Sequence, residues 1–262
     1  MSMIWYITGA CYVGCLVYAD DIILISASLI KLQRMMDICF HSGETLDIVF
    51  NAKKSSLFII GKGYDDIYDD LYIGYDCVKW SHSLKYLGTS FTSGRLLVNN
   101  GDINMRKFYV AANAILSHVK YASDLSKLYL LETFCLPILS FSCEALNYNK
   151  QQLRQMNVCW NNGYRKVFHM NVWESVQQVI FFCERLDFVH IYASRKLIFL
   201  SELLRSGNDV LLTCFSVFKR SREFISLCSN FEVDLYYNEF CSRTELTAAV
   251  NSKFAALFDS CG

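Results

Sequence analysis

The sequence predicts an α+β chain in two parts, a strand-rich region over 1–95 and a mainly helical region over 96–262. Before residue 95, short runs rich in Val, Ile, Leu and Tyr alternate with Gly, Ser, Asn and Asp, the pattern of strands and turns. After it, apolar residues return every three or four positions, the spacing of one helix face. Hydrophobic residues make up 53% of the 262 and charged residues 19%, which supports a sizeable core and excludes global disorder.

The formal net charge is zero, which argues against a strongly basic nucleic-acid binder overall. The distribution is uneven: residues 150–222 carry 11 Lys and Arg against 5 Asp and Glu. Such a segment reads as phosphate-contacting or, equally, as a set of solvated helix faces. The twelve cysteines include no Cys-x-x-Cys pair and no zinc-finger spacing, so they read as reduced thiols in an intracellular protein. Met1 to Ala19 carries no charge. It lacks a basic leader and is broken by Gly9 and Gly14, so buried strands fit it better than a signal or a membrane span. A chain that opens inside an apolar core element is expected to be truncated.

The first element is Cys15 to Ser26, two apolar runs flanking Asp20-Asp21, a hairpin with Tyr18 to Asp21 at its tip. Ser26 and Ser28 are candidate N-caps of a helix whose stripe is Leu32, Met35, Met36, Cys39 and Phe40, with Gly43 as its stop. Leu46, Ile48 and Phe50 alternate as a short strand. Asn51 to Ser55 interrupts it, and Ser56 to Ile60 resumes. Asp65, Asp66, Asp69 and Asp70 read as a solvated loop rather than a metal site. Leu71 to Trp80, broken at Gly74, reads as a hairpin, and Leu84 to Thr92 as the next strand. Asp102 opens a helix with Met105, Phe108, Ala112, Ile115 and Val119 on one stripe. Asp124 or Ser126 opens another, with Leu128, Leu131 and Cys135 inward, and Pro137 should kink or end it. Leu153, Met156, Trp160, Tyr164 and Phe168 mark a third. Phe188, Ile191, Tyr192, Ile198, Phe199 and Leu203 mark at least one more, ending near Gly207. Trp160 and Trp173 read as core anchors rather than base-stacking platforms. Past Gly207 no usable motif stands out.

Two adjacent carboxylates against apolar strands repel each other, and desolvation adds to the cost. Water, a nearby cation or a divalent metal relieves it. An Asp-Asp pair alone reads as a solvated turn, but Tyr18-Ala19-Asp20-Asp21 stands in a longer pattern. Gly9 to Gly14 precedes it, Phe50-Asn51-Ala52-Lys53-Lys54-Ser55 follows the helix, and Ser83-Leu84-Lys85-Tyr86-Leu87-Gly88 comes next. In this order the four pieces resemble the later part of the reverse transcriptases of non-LTR (LINE-like) retrotransposons.

The resemblance implies a partial polymerase palm of antiparallel strands with a helix, then a helical thumb and post-thumb region. It implies RNA-directed DNA polymerase activity by two-metal nucleotidyl transfer. Asp20 would be the main Mg²⁺ ligand and Asp21 the secondary one. Tyr18 would sit close to the primer end. Lys54 would lie near the departing pyrophosphate, and Gly88 would let the backbone approach the primer. Arg154, Arg165 and Lys166 would contact the nucleic acid. The partners would be an RNA template and a DNA primer, without a membrane, in the nucleus. A further metal-binding aspartate and the fingers would precede residue 1, so the chain is expected to be inactive alone. The alternative is a non-enzymatic nucleic-acid-binding or non-functional remnant of the same fold.

Overall fold

The computed structural model describes residues 13–99, 101–235 and 241–259. Gly9 to Tyr12 of the glycine-led run, together with Cys11 and Cys261, lie outside the described residues. The chain is mixed α and β, with small sheets. It divides into two compact units, Met1–Val98 and Asn99–Gly262.

In the first unit, β1 (Cys15–Tyr18) and β2 (Asp21–Leu24) pair antiparallel from Cys15↔Leu24 to Tyr18↔Asp21. A bond from Ile25 N to Gly14 O at 2.8 Å extends the ladder. Helix α1 runs over Leu29–Thr45. Ser28 holds the N-cap position, while the Ser26 hydroxyl accepts from Ser28 N at 3.2 Å, so both expected caps take part. Gly43 does not stop α1. It lies inside the helix, where a Cβ would meet Ile48 O and the Phe50 ring, each at 2.8 Å. The stop comes at Asp47, at φ 59, with Ile48 N bonded back to Gly43 O at 2.9 Å, a left-handed C-terminal cap. Leu46 to Phe50 is therefore a cap followed by irregular backbone, not a strand.

Expected strand Ser56 to Ile60 is reduced to β3 (Ser56–Leu57). It pairs in parallel with β5 (Asp76–Trp80), which corrects an all-antiparallel expectation. The hairpin of β4 (Leu71–Ile73) and β5 turns at Gly74, φ +61. The Gln33 amide of α1 pairs with both backbone groups of Tyr72 at 2.8 Å, which satisfies the open edge of β4. Leu84 to Thr92 is not one strand but a hairpin of β6 (Ser83–Tyr86) and β7 (Thr89–Thr92). Its two-residue turn is Leu87-Gly88, both at positive φ, the geometry that matches strand twist. Met36, Ala52, Leu57, Leu71 and Val78 form the core of this unit.

The second unit is helical. Helix α2 (Asp102–His118) buries Phe108 and Ala112; its N-cap is Gly101, with Asp102 in the first turn. Helix α3 (Asp124–Leu130) is capped by the Ser123 hydroxyl, one residue before the expected start. It passes through a π-turn at Leu131–Cys135 into α4 (Leu136–Leu139), which carries Pro137 in its first turn. The wider turn absorbs the backbone bond that proline cannot donate. Helix α5 (Lys150–Val167) starts at a reciprocal capping box between Asn149 and Gln152. Helices α6 (Gln177–Phe182), α7 (Phe188–Arg205), α8 (Asp209–Phe218), α9 (Arg222–Phe231) and α10 (Arg243–Asp259) follow. Phe108, Leu131, Trp160, Tyr164 and Phe188 centre one core; Leu197, Phe224, Leu246 and Val250 centre a second. Trp160 is the core anchor its spacing predicts, but Trp173 is 83% exposed and anchors nothing within the unit. The ten described cysteines are all free thiols.

Candidate functional site

The β1–β2 hairpin closes through Ala19-Asp20, with Tyr18 and Asp21 as the last cross-strand pair. Directly paired residues share one face of a hairpin, so Tyr18 and Asp21 stand side by side while Asp20 occupies the turn. Ala19 takes φ 50, a left-handed conformation that costs a residue with a Cβ about 1–2 kcal/mol. The same left-handed geometry closes the β6–β7 turn at Leu87, φ 45. Tyr18, Asp20 and Asp21 are all exposed, so water relieves the repulsion between the carboxylates. The apolar strands are exposed too: Leu16, Val17 and Ile22 face solvent instead of a core.

Leu24, at the inner end of β2, packs against the Met36 and Val78 core. The hairpin is therefore anchored at its base and free at its tip. The carboxylate oxygens are hard ligands of the kind Mg²⁺ takes. Among the described residues no three His, Cys, Asp or Glu gather as a metal-holding group.

Lys54 lies in a turn, not at a strand end. Its N–H bonds Asn51 O at 3.1 Å and Asn51 Oδ1 at 3.2 Å, and its side chain is exposed. Gly88 occupies the β6–β7 turn at φ +82, a backbone geometry that favours glycine. Both belong to the unit that carries Asp20 and Asp21.

The three expected nucleic-acid contacts lie on α5. Arg154 is exposed. The Arg165 guanidinium is committed within the fold, donating through Nε and Nη2 to Glu174 O at 3.2 and 3.0 Å and through Nη1 to Asn162 Oδ1 at 2.9 Å. The Lys166 ammonium bonds Asn113 Oδ1 and sits 5.8 Å from the centre of the Tyr109 ring. Two of the three basic side chains are thus already partnered.

Arg195 and Lys196 read from the sequence as charges along the surface of the thumb-like helices, but Lys196 lies in a polar cluster buried in the helical unit. Lys196 is 4% exposed, donates to Leu146 O at 3.0 Å, and lies 5.5 Å from the centre of the Phe218 ring. Burial pulls its pKa down to about 8. The Tyr192 hydroxyl donates to the same carbonyl at 3.3 Å. Arg195 and Glu144 pair at 3.0 Å. A lysine placed among Ala193, Leu197 and Leu200 on the inward face of α7 was the signal in the sequence.

Among the described residues, no helix is long and apolar enough to cross a membrane. Comparison with known proteins finds no matching family model, no matching curated protein and no matching solved structure.

Proposed function

We propose that the chain carries the aspartate hairpin of a non-LTR-type reverse transcriptase, with RNA-directed DNA polymerase as the activity of its family. The supporting observation is the tight β1–β2 hairpin that presents Tyr18, Asp20 and Asp21 together at an exposed tip. In this reading Met1–Val98 is a partial palm and Asn99–Gly262 a thumb-like region. Asp20 and Asp21 supply carboxylates to Mg²⁺, Lys54 and Gly88 flank the reacting ends, and an RNA template and DNA primer are the partners, in the nucleus.

The chain alone is inactive in this reading. Two-metal transfer needs two ions about 4 Å apart, bridged by carboxylates and phosphates. Mg²⁺ dehydrates reluctantly and demands near-octahedral oxygens, so two adjacent aspartates hold it weakly. The alternative is a non-enzymatic, nucleic-acid-binding role for the same fold.

Mn²⁺, as a paramagnetic probe, tests the reading. Its titration should broaden the amide signals of Tyr18 to Ile22 before others, and Asp20→Ala should abolish the effect. Broadening elsewhere, or broadening unchanged in Asp20→Ala, would remove the hairpin from consideration. Primer extension on an RNA template should stay at background for both chains. Extension that disappears in Asp20→Ala would show instead that a complete site exists.

A further inference from the structure

We propose that Trp173 is a stacking platform for an unpaired base of single-stranded nucleic acid. Trp173 is 83% exposed and Val172 beside it 79%. The other described tryptophans are accounted for: Trp160 is 1% exposed, and the Trp80 indole donates to Asp69 O at 3.3 Å beside the Tyr68 ring. A large aromatic ring left in water forgoes the burial that would otherwise stabilise it.

The loop that carries Trp173 is braced. Arg165 places two guanidinium N–H groups on Glu174 O. The Glu174 carboxylate accepts from Asn171 N at 2.6 Å and Asn171 Nδ2 at 3.2 Å, and Glu174 N returns a bond to Asn171 O at 3.2 Å. Met170 N bonds Arg165 O at 2.9 Å, past His169 at φ 54. Both residues that flank the Val172-Trp173 pair are thus fixed, and the ring is presented without the ordering cost of a mobile loop.

The surroundings favour a base over a protein pocket. The neighbours of Val172-Trp173 in the loop are Asn171, Glu174 and Ser175, all polar. Apart from Val172 no apolar residue adjoins Trp173 in the loop, and a base needs only one planar face and a cation for its phosphate. Arg165 is committed to bracing the loop, so Lys166, whose ammonium bonds the neutral Asn113 amide oxygen, is the cation at hand for that phosphate. Lys166 and His169 are exposed on the approach to the loop. Charge and ring together match a single strand.

The proposal shares with the polymerase reading only the nucleic-acid partner, and needs no metal. Its test is fluorescence anisotropy of labelled oligo-dT and oligo-U with the full chain, in EDTA at low salt, with an abasic oligonucleotide of equal length as control. Trp173→Ala should weaken binding about tenfold, the loss expected for one stacked base, and Trp173→Phe should retain most of the affinity. Wild type should bind the abasic strand as weakly as Trp173→Ala binds the intact one. Because Trp173 is outside both cores, the far-UV circular dichroism of both variants should match wild type. Equal binding by wild type and Trp173→Ala, equal binding of abasic and intact strands, or no binding by wild type would each overturn the proposal. So would a protein ligand that binds through Trp173 while oligonucleotides do not. Loss of the Mn²⁺ effect at Asp20 would leave this assay unchanged, so the two readings fail separately.

Discussion

Among the described residues, Met1–Val98 closes on a core of five buried apolar side chains, whereas Asn99–Gly262 closes on two cores of eighteen and eight. The strand-rich unit depends on local devices: two-residue turns, the left-handed cap at Asp47, and the Gln33 amide laid along the edge of β4. The helical unit depends on packing. Trp160, Phe108 and Tyr164 meet edge-on, with centroids 5.4 to 6.1 Å apart. Proposed polymerase chemistry lies in the unit with the smaller core, and its exposed hairpin is apolar enough to invite association. The two units should therefore respond to different perturbations.

The largest expected effect is in the helical core. Trp160→Ala should cost about 3–5 kcal/mol, the range for deleting a large buried aromatic. The loss should be read from urea unfolding followed by the helical signal at 222 nm. A loss below 1 kcal/mol would mean that the core collapses into the space and that packing does not distinguish the units.

Alkaline pH should separate the units next. Burial pushes the Cys143 thiol up to about 12, and Cys135, Cys159 and Cys228 to about 11. All four are in the helical unit. A thiol raised in the folded state stabilises fully below its unfolded pKa of 9.0. That stability is lost as pH climbs from there through the folded value. Cys143 alone should account for about 2–3 kcal/mol between pH 9 and 11, at 1.4 kcal/mol per pKa unit. Lys196 runs the other way. Its pKa is lowered from 10.5 to about 8, so the folded state loses the proton first and stability grows between those two values. Cys143→Ala should lose less stability than wild type between pH 9 and 11; parallel pH curves would show that the thiol titrates alike in both states.

A turn glycine in the strand-rich unit gives a smaller effect. Gly74 sits at φ +61, and a Cβ there would approach two Phe40 ring carbons at 2.5 and 2.6 Å. Gly74→Ala should cost about 1–2 kcal/mol. The loss should appear as faster amide exchange in Leu71 to Trp80, with exchange in α5 unchanged. Spread of the effect into α5 would mean that the units do not unfold independently.

The sequence was most legible where a single local rule decides the structure. Apolar runs on both sides of Asp20-Asp21 are enough for a hairpin, and the stripes at Met105 to Ile115 and Leu153 to Tyr164 are enough for helices. Rules failed where tertiary contact overrides them. Gly43 reads as a stop, yet it is glycine because residues 48–50 return against the helix. Trp173 reads as core by its type, yet polar neighbours and the Arg165 brace hold it in water. Helix α10 was legible and missed. Ser242 and Glu245 form a reciprocal cap, with Ser242 N to Glu245 Oε2 at 2.6 Å and Glu245 N to the Ser242 hydroxyl at 3.2 Å. Leu246, Val250, Phe254 and Phe258 then follow at four-residue spacing. Helix α8 has apolar residues all round, which hides the period.

The smallest effect concerns the turn that presents Lys54. Asn51 Oδ1 accepts from Lys54 N, and Asn51 O accepts from Lys54 N, Ser55 N and the Ser55 hydroxyl. The backbone carbonyl survives any substitution, so only the side-chain bond is at risk. Asn51 is exposed, and water replaces a lost acceptor at little cost. Asn51→Ala should therefore cost about 0.5–1 kcal/mol, near the lower end for a side chain capping a backbone N–H. Asn51→Asp keeps an acceptor and should cost less. The measurement is amide exchange at Lys54, which should speed up two- to five-fold in Asn51→Ala, roughly the factor that such an energy implies. Buried Ala52 and Leu57 on either side should hold the rest of the segment in place. Unchanged exchange at Lys54 would show that the carbonyl bonds alone shape the turn. The position of Lys54 would then be set by the backbone, and Asn51 would have no part in presenting it.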